Sequence, residues 1–301
     1  MHTVIAVLLY TLTAQVPGGA RQGRAPQTDQ TVPAARGTRL VIDNYAGEVV
    51  VHAWDKDAVR VQARTNTRTK VNVRTASNAI NIEAVAINGP TGSVDYEITA
   101  PAWMAMKIEG QYDFVTIEGI QGEVSVETVR GDIVLKSGGP ATAKTIEGEI
   151  QVEGARGKLS LSSVNQDIKV TGANGDISAE TTNGSITLER MESSNVEVAT
   201  VNGDVAYDGT LAVRGHYAFT THNGDILMAI PEASNATFNV RTYNGEFGTS
   251  LALKGPDASQ VRQGRRVTYT LGNGSAEVEM ESFGGEIRLR RAGAARTRRD
   301  Q

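Results

Sequence analysis

The 301-residue chain has no cysteine, which excludes disulfides, thiolate metal sites and cysteine nucleophiles. Proline is scarce at 8 residues, and aromatic residues make up only 5%. Neither sign of charge dominates. The formal net charge is −4, which provides no basic field for nucleic acid, so no nucleic-acid partner is expected. The mature chain contains no apolar run long enough for a transmembrane helix, and no segment carries a convincing helical period. There is no Gly-x-Ser-x-Gly elbow, phosphate loop or zinc signature. Beyond His2, the histidines are His52, His216 and His222 alone. These absences point to a non-enzymatic protein, with no catalytic, cofactor-binding or metal-binding residue predicted.

What the chain does have is one returning phrase. It reads Thr128-Val-Arg-Gly-Asp-Ile133, Thr145-Ile-Glu-Gly-Glu-Ile150, Ser163-Val-Asn-Gln-Asp-Ile168 and Thr181-Thr-Asn-Gly-Ser-Ile186. It continues as Thr200-Val-Asn-Gly-Asp-Val205, Thr221-His-Asn-Gly-Asp-Ile226, Thr242-Tyr-Asn-Gly-Glu-Phe247 and Ser282-Phe-Gly-Gly-Glu-Ile287. Successive starts lie 17, 18, 18, 19, 21, 21 and 40 residues apart. A fixed period of this size is the mark of a stacked-repeat architecture.

The residues around each phrase alternate strictly. Leu159/Leu161/Ser163 precede one copy and Ile168/Val170 follow it; Val196/Val198/Thr200 precede another. Period two with β-branched residues means a strand with one buried face. The Asn-Gly or Gly-Asp pair between the halves predicts a tight turn held by residues that tolerate positive φ. In Ser163-Val-Asn-Gln-Asp-Ile168, which lacks the glycine, that conformation would fall on Asn165 or Gln166. Each unit therefore reads as strand, turn, strand, turn. A single unit has too little apolar face to stand alone, so units must stack. The predicted fold class is all-β: a β-solenoid of stacked, roughly 18-residue repeats with a sheet-rich N-terminal cap.

Residues 1–20 open with an apolar run from Met1 to Ala14 followed by small residues, a signal-peptide pattern whose first residues carry no Lys or Arg. An exported, extracytoplasmic protein is expected, in the periplasm, on the cell surface or in the medium. Residues 21–36 read as a linker and 37–118 as the β-rich cap. The cap has strands near Val59–Ala63, Val71–Arg74, Ile80–Ala84 and Val94–Thr99, with repeat-like rows at Leu40–Val51 and Met106–Ile117. Residues 119–250 are the solenoid repeats, and 251–290 the C-terminal strands, whose final phrase is expected to close the stack. Residues 291–301 read as a basic disordered tail.

The signal-like start, the cap segment Val94-Asp-Tyr-Glu97 with Pro101, and the Thr-x-Asn-Gly-Asp-Ile rows resemble the bacterial adhesin-like family of β-strand-repeat proteins. That family is a domain of unknown function likened to autotransporter adhesin heads. The resemblance spans about residues 38–290. It implies a solenoid and an envelope location, and brings no catalytic or ligand residues.

Several constellations invite a functional reading. Asp132, Glu149, Asp167, Asp204, Asp225, Glu246 and Glu286 would form an outward acidic column. Neighbours ~5 Å apart in water repel by only about 0.9 kcal/mol, so solvated turn residues are expected. A calcium-binding edge is the alternative, but the Gly-Gly-x-Gly-x-Asp rows of a calcium roll are missing. Asn165, Asn183, Asn202, Asn223 and Asn244 could form an amide ladder. The inward Thr and Ser of each phrase should bond to backbone near the turn. His216 and His222 stand six apart without a carboxylate aimed at both. Trp54, with His52 and Tyr45, could make a sugar-stacking platform, although packing the cap is the expected role. The expected function is a scaffold or adhesin making polyvalent surface contacts, with its partner, an envelope or surface polysaccharide or protein, unspecified. The alternatives are a carbohydrate-active β-helix and a self-assembling β-helical polymer.

Overall fold

The computed structural model describes residues 27–65, 68–76, 78–256 and 264–293. The expected signal peptide (1–20) and all but the first residues of the expected tail lie outside the described residues. Every regular element among the described residues is a strand, and all 24 join one continuous sheet.

The first seven strands are β1 (Thr28–Pro33), β2 (Arg39–Trp54), β3 (Ala58–Thr65), β4 (Thr69–Ala76), β5 (Ala79–Ala86), β6 (Val94–Pro101) and β7 (Met106–Glu118). The repeats then supply strand pairs. These are β8 (Val124–Glu127) with β9 (Ile133–Lys136), β10 (Ala141–Lys144) with β11 (Ile150–Glu153), and β12 (Leu159–Ser162) with β13 (Ile168–Thr171). Next come β14 (Ile177–Asn183) with β15 (Ile186–Met191), β16 (Asn195–Asn202) with β17 (Val205–Gly209), and β18 (His216–Asn223) with β19 (Ile226–Ile230). The chain ends in β20 (Ala236–Thr242), β21 (Phe247–Thr249), β22 (Val267–Leu271), β23 (Ala276–Ser282) and β24 (Ile287–Arg291).

Each phrase is the corner between two strands of one coil, and the coils stack in parallel register, with one bulge between Leu188 and Met191 where β15 meets β17. On one ladder Met106 pairs with Val124, then Ala141, Leu159, Ile177, Val196 and Tyr217 follow in line. On the other, Val115 leads to Ile133, Ile150, Ile168, Ile186, Val205 and Ile226. The inward residues of both ladders form one apolar cluster running from Ala34 to Leu289. A coil such as β12/β13 contributes Leu159, Leu161, Ile168 and Val170, all buried, each worth about 1.5–3 kcal/mol. The alternation read from the sequence is the alternation of burial.

The ends of the stack depart from sequence order. β2 bends through both ladders and lies between β7 on one side and β5 with β6 on the other. At the far end, β23 is inserted between β18 and β20, and β24 between β19 and β21. The final phrase, Ser282–Ile287, therefore does not close the stack as expected. The long excursion after β21 carries the chain back so that Val278 and Met280 are covered from both sides. Antiparallel strands finish the edges: β22 on β20, β4 on β5, and β3 then β1 on β6. The polar β4, with Lys70 and Arg74, suits an edge that must resist further pairing.

Two boundaries also move. Thr28–Pro33, expected within a linker, forms β1, because its backbone completes the edge of β3 and Asp29 accepts hydrogen bonds from Arg60 at 2.7 and 2.9 Å. Arg291, expected in the tail, belongs to β24, where its guanidinium lies 2.9 Å from Glu232.

Candidate functional site

In-register stacking turns each position of the phrase into a column along one edge of the solenoid. The first column is the buried Thr or Ser. Ser163 donates to the Gly148 carbonyl at 3.2 Å, Thr200 to Gly184 at 2.9 Å, Thr221 to Gly203 at 2.9 Å and Ser282 to Gly224 at 3.0 Å. The backbone bond expected near the turn thus reaches the corner of the preceding coil, stitching coils together. Thr200→Val keeps the shape but orphans the half-buried Gly184 carbonyl, and should lower stability by about 1 kcal/mol. Thr200→Ser should recover most of that. Equal denaturation midpoints for the two variants would refute the stitch.

The glycine column follows its sequence reading at Gly131, whose φ is +129°, and departs from it in the later coils. Gly203 and Gly224 do not have positive φ, and neither does Asn165 or Gln166. The glycines are needed for approach: a Cβ at Gly203 would lie 2.0 Å from the Gly184 carbonyl oxygen, and one at Gly224 2.0 Å from that of Gly203. Gly203→Ala forces two coils apart and should cost about 3 kcal/mol. Gly172→Ala, at φ +65° with nothing within 4 Å of the new methyl, should cost only about 1–2 kcal/mol. Thermal melts that reversed this order would contradict the close-approach account.

The amide ladder is present in part. Asn183 donates to Asn165 at 3.0 Å, Asn202 to Asn183 at 2.8 Å and Asn223 to Asn202 at 2.9 Å. Asn244 is not in it, because the inserted coil places Gly284 next to Asn223. The acidic column binds backbone. Asp132, Asp167, Asp204 and Asp225 accept from the amides of Glu149, Ser185, Asp225 and Glu286 at 2.7–2.9 Å. Those carboxylate oxygens cap the next corner, a structural use that competes with holding cations.

One departure from the phrase places a carboxyl inside. In register, Asn44 occupies the Thr column and Asp113 the glycine column. Both are buried, and the Asn44 amide donates to Asp113 Oδ1 at 2.6 Å and to the Val94 carbonyl at 3.1 Å. Gly110 makes the room, since a Cβ there would lie 1.9 Å from Asp113 Oδ2. Asp113 Oδ2 and the nearby buried hydroxyl of Tyr96 have no hydrogen-bond partner. Burial pushes the Asp113 carboxyl up to about 7, opposed by the Asn44 hydrogen bond and aided by the charge of Asp43. From the sequence these residues count as ordinary row members; their mismatch with the phrase is the available signal.

The column with outward functional potential is the second position, the x of Thr-x-Asn-Gly-Asp. On successive coils it holds Val129, Ile146, Val164, Thr182, Val201, His222 and Phe283, the five large apolar ones 37–46% exposed, with Tyr45 in the same column beyond Gln111 and Tyr112 one column over. Beside them, only Ile87, Phe114 and Val213 are large exposed apolar residues among the described ones. The apolar stripe ends in a ring stack: His222 lies on Phe283 at 4.7 Å and 10°, and Tyr243 follows at 5.0 Å. A groove of about 690 Å³ runs beside the stripe, from Ser162 and Val164 to Phe283 and Tyr243. An exposed, largely apolar row of this kind, broken only by Thr182 between Val164 and Val201, marks an interaction surface.

The other candidates are dispersed. His216 faces Glu277 at 3.9 Å, while His222 belongs to the ring stack, so the two do not converge. His52 lies 3.2 Å from Glu118. Trp54 donates to the Ala58 carbonyl at 2.7 Å with Lys56 over its ring, and Tyr45 instead meets Tyr112 edge-on at 5.7 Å. Trp54 therefore braces a turn of the cap.

Comparison with known proteins places residues 37–290 within the family model described as Toastrack DUF4097. No curated protein matches the sequence. Among solved structures, a "putative cell adhesion protein" from Clostridium sporogenes is similar over 88% of this chain and 100% of its own, at 8% identity and a TM-score of 0.21.

Proposed function

This chain belongs to the Toastrack DUF4097 family, and from that premise we propose that it is an exported, non-enzymatic scaffold or adhesin-like protein of the cell envelope. The observation that carries the reading is the apolar stripe. One outward position, repeated once per coil, presents Val129, Ile146 and Val164 on three successive coils and, past Thr182, Val201 and Phe283 on either side of His222. A row of equivalent weak contacts suits an extended or repetitive partner, because avidity then exceeds the affinity of any single contact. Export is supported by the apolar start from Met1 to Ala14 and the small residues after it.

The test is cosedimentation of the purified chain with envelopes of its source organism. Wild type should pellet, and a Val129→Lys, Ile146→Lys, Val201→Lys triple variant with an unchanged melting temperature should stay in solution. Equal behaviour of the two proteins would refute the stripe. Protease shaving should digest the chain on intact cells or after permeabilisation of the outer membrane alone; resistance in both would refute export. Polysaccharide turnover lost on substitution of one Asp or Glu in the stack would refute the non-enzymatic reading.

A further inference from the structure

We infer that the groove beside the stripe is a binding site for a neutral polysaccharide chain laid across the strands. This rests on the proposed role of the edge as an interaction surface and names the chemistry it takes. The groove spans the successive strands from β12 through β14, β16, β18 and β23 to the end of β20. Five strand spacings give a length of roughly 24 Å. Such a trough fits a linear polymer better than a compact metabolite.

Three observations select the polymer. The floor is strand backbone whose groups already pair along the ladder, at Thr181, Thr200 and Thr221. An extended peptide joins a sheet at an open edge, and this floor offers none, so recognition falls to side chains. The lining includes no Lys or Arg. Its charged groups are Glu180 and Glu281, and Glu281 faces Arg241 at 3.6 Å. The lining offers an anionic polymer no cation of its own, and Arg241 beside it is held between Glu281 and the Tyr243 ring at 4.6 Å. Lastly, the walls interleave apolar groups (Val164, Val201, Ala199) with hydroxyls (Ser162, Thr182, Thr220). Sugar rings present the complementary mixture, apolar C–H faces with hydroxyl edges, and the ring stack at the groove's end supplies an aromatic surface to which such faces bind.

Periodicity adds to the match. An extended β-1,4-linked pyranose chain advances by close to one strand spacing per residue, so successive sugars meet the same column positions on successive coils. Each contact can then be weak while the whole chain binds measurably.

Affinity electrophoresis of the full chain tests this, in native gels containing a soluble neutral β-glucan, xylan or mannan, with alginate and chitosan as charged comparators. At least one neutral polymer should retard wild type. Val201→Arg, at an exposed site within the groove, should weaken that retardation at least tenfold. Val213→Arg, at an exposed site on neither the stripe nor the groove lining, should leave it unchanged. Melting curves confirm that both variants fold. The inference is overturned if no neutral polymer retards the protein, if alginate or chitosan alone does, or if Val201→Arg binds like wild type. Loss of polymer binding with intact envelope cosedimentation removes the glycan assignment alone, whereas loss of both removes the interaction surface as well.

Discussion

Ile168→Asp is expected to unfold the solenoid, or at least the coils around β13, at room temperature. Ile168 is fully buried and sits in register between Ile150 and Ile186. A carboxylate there would have apolar neighbours above and below. Burying an uncompensated charge costs several kcal/mol even after relaxation, comparable to the whole stability of a typical domain. Because each coil touches only its neighbours, the damage should spread as loss of adjacent coils. Asp167→Asn, one residue earlier, provides the contrast. Asp167 is exposed and its Oδ1 accepts from the Ser185 amide at 2.7 Å, a bond that an amide oxygen can also accept. Its midpoint should move by less than about 1 kcal/mol. Circular dichroism of both variants decides the matter: similar melts would mean that the parity of the strands is misassigned.

That contrast shows how far local pattern reaches in this chain. The parity of Leu159/Leu161/Ser163 and Ile168/Val170 is a direct consequence of a half-buried strand, so the coils were legible one by one. Their order at the ends was not. Ser282-Phe-Gly-Gly-Glu-Ile287 looks locally like any other corner, and its insertion between the Thr221 and Thr242 coils depends on where a long excursion returns. Gly203 and Gly224 were legible as special, but the reason lies between coils: a carbonyl oxygen of the neighbouring corner, which no single-coil argument contains. The stripe was hidden for the same reason. An isolated exposed Val at a turn means little; Val129, Ile146, Val164 and Val201 become a surface only once the register lines them up. The groove beside them is a property of the stack, and no motif could announce it.

Asp113 gives the stack a pH dependence that its exposed carboxylates do not share. Its buried carboxyl titrates at about 7 in the folded protein against 3.8 for the ordinary value. The acid is protonated more readily when folded, so between these values the unfolded chain binds fewer protons and stability falls as pH rises. The contribution is fully present below about pH 4, is lost progressively towards pH 7, and stays lost above it. The span of the loss is on the order of 4 kcal/mol. Asp29 and Glu118 act in the opposite sense: the Arg60 hydrogen bond lowers the first and the Lys136 hydrogen bond the second, so their stabilisation fades only as pH falls below the carboxylate range. The two windows therefore separate. Asp113→Asn removes the titration while keeping an oxygen for the Asn44 amide donor. Denaturant midpoints of wild type and variant should differ most in slope between pH 5 and 7, with the variant the more stable at pH 8 relative to their difference at pH 5. Parallel profiles would mean that Asp113 does not carry its proton in the corner of β7, and that water or a rearranged Asn44 satisfies the charged form instead.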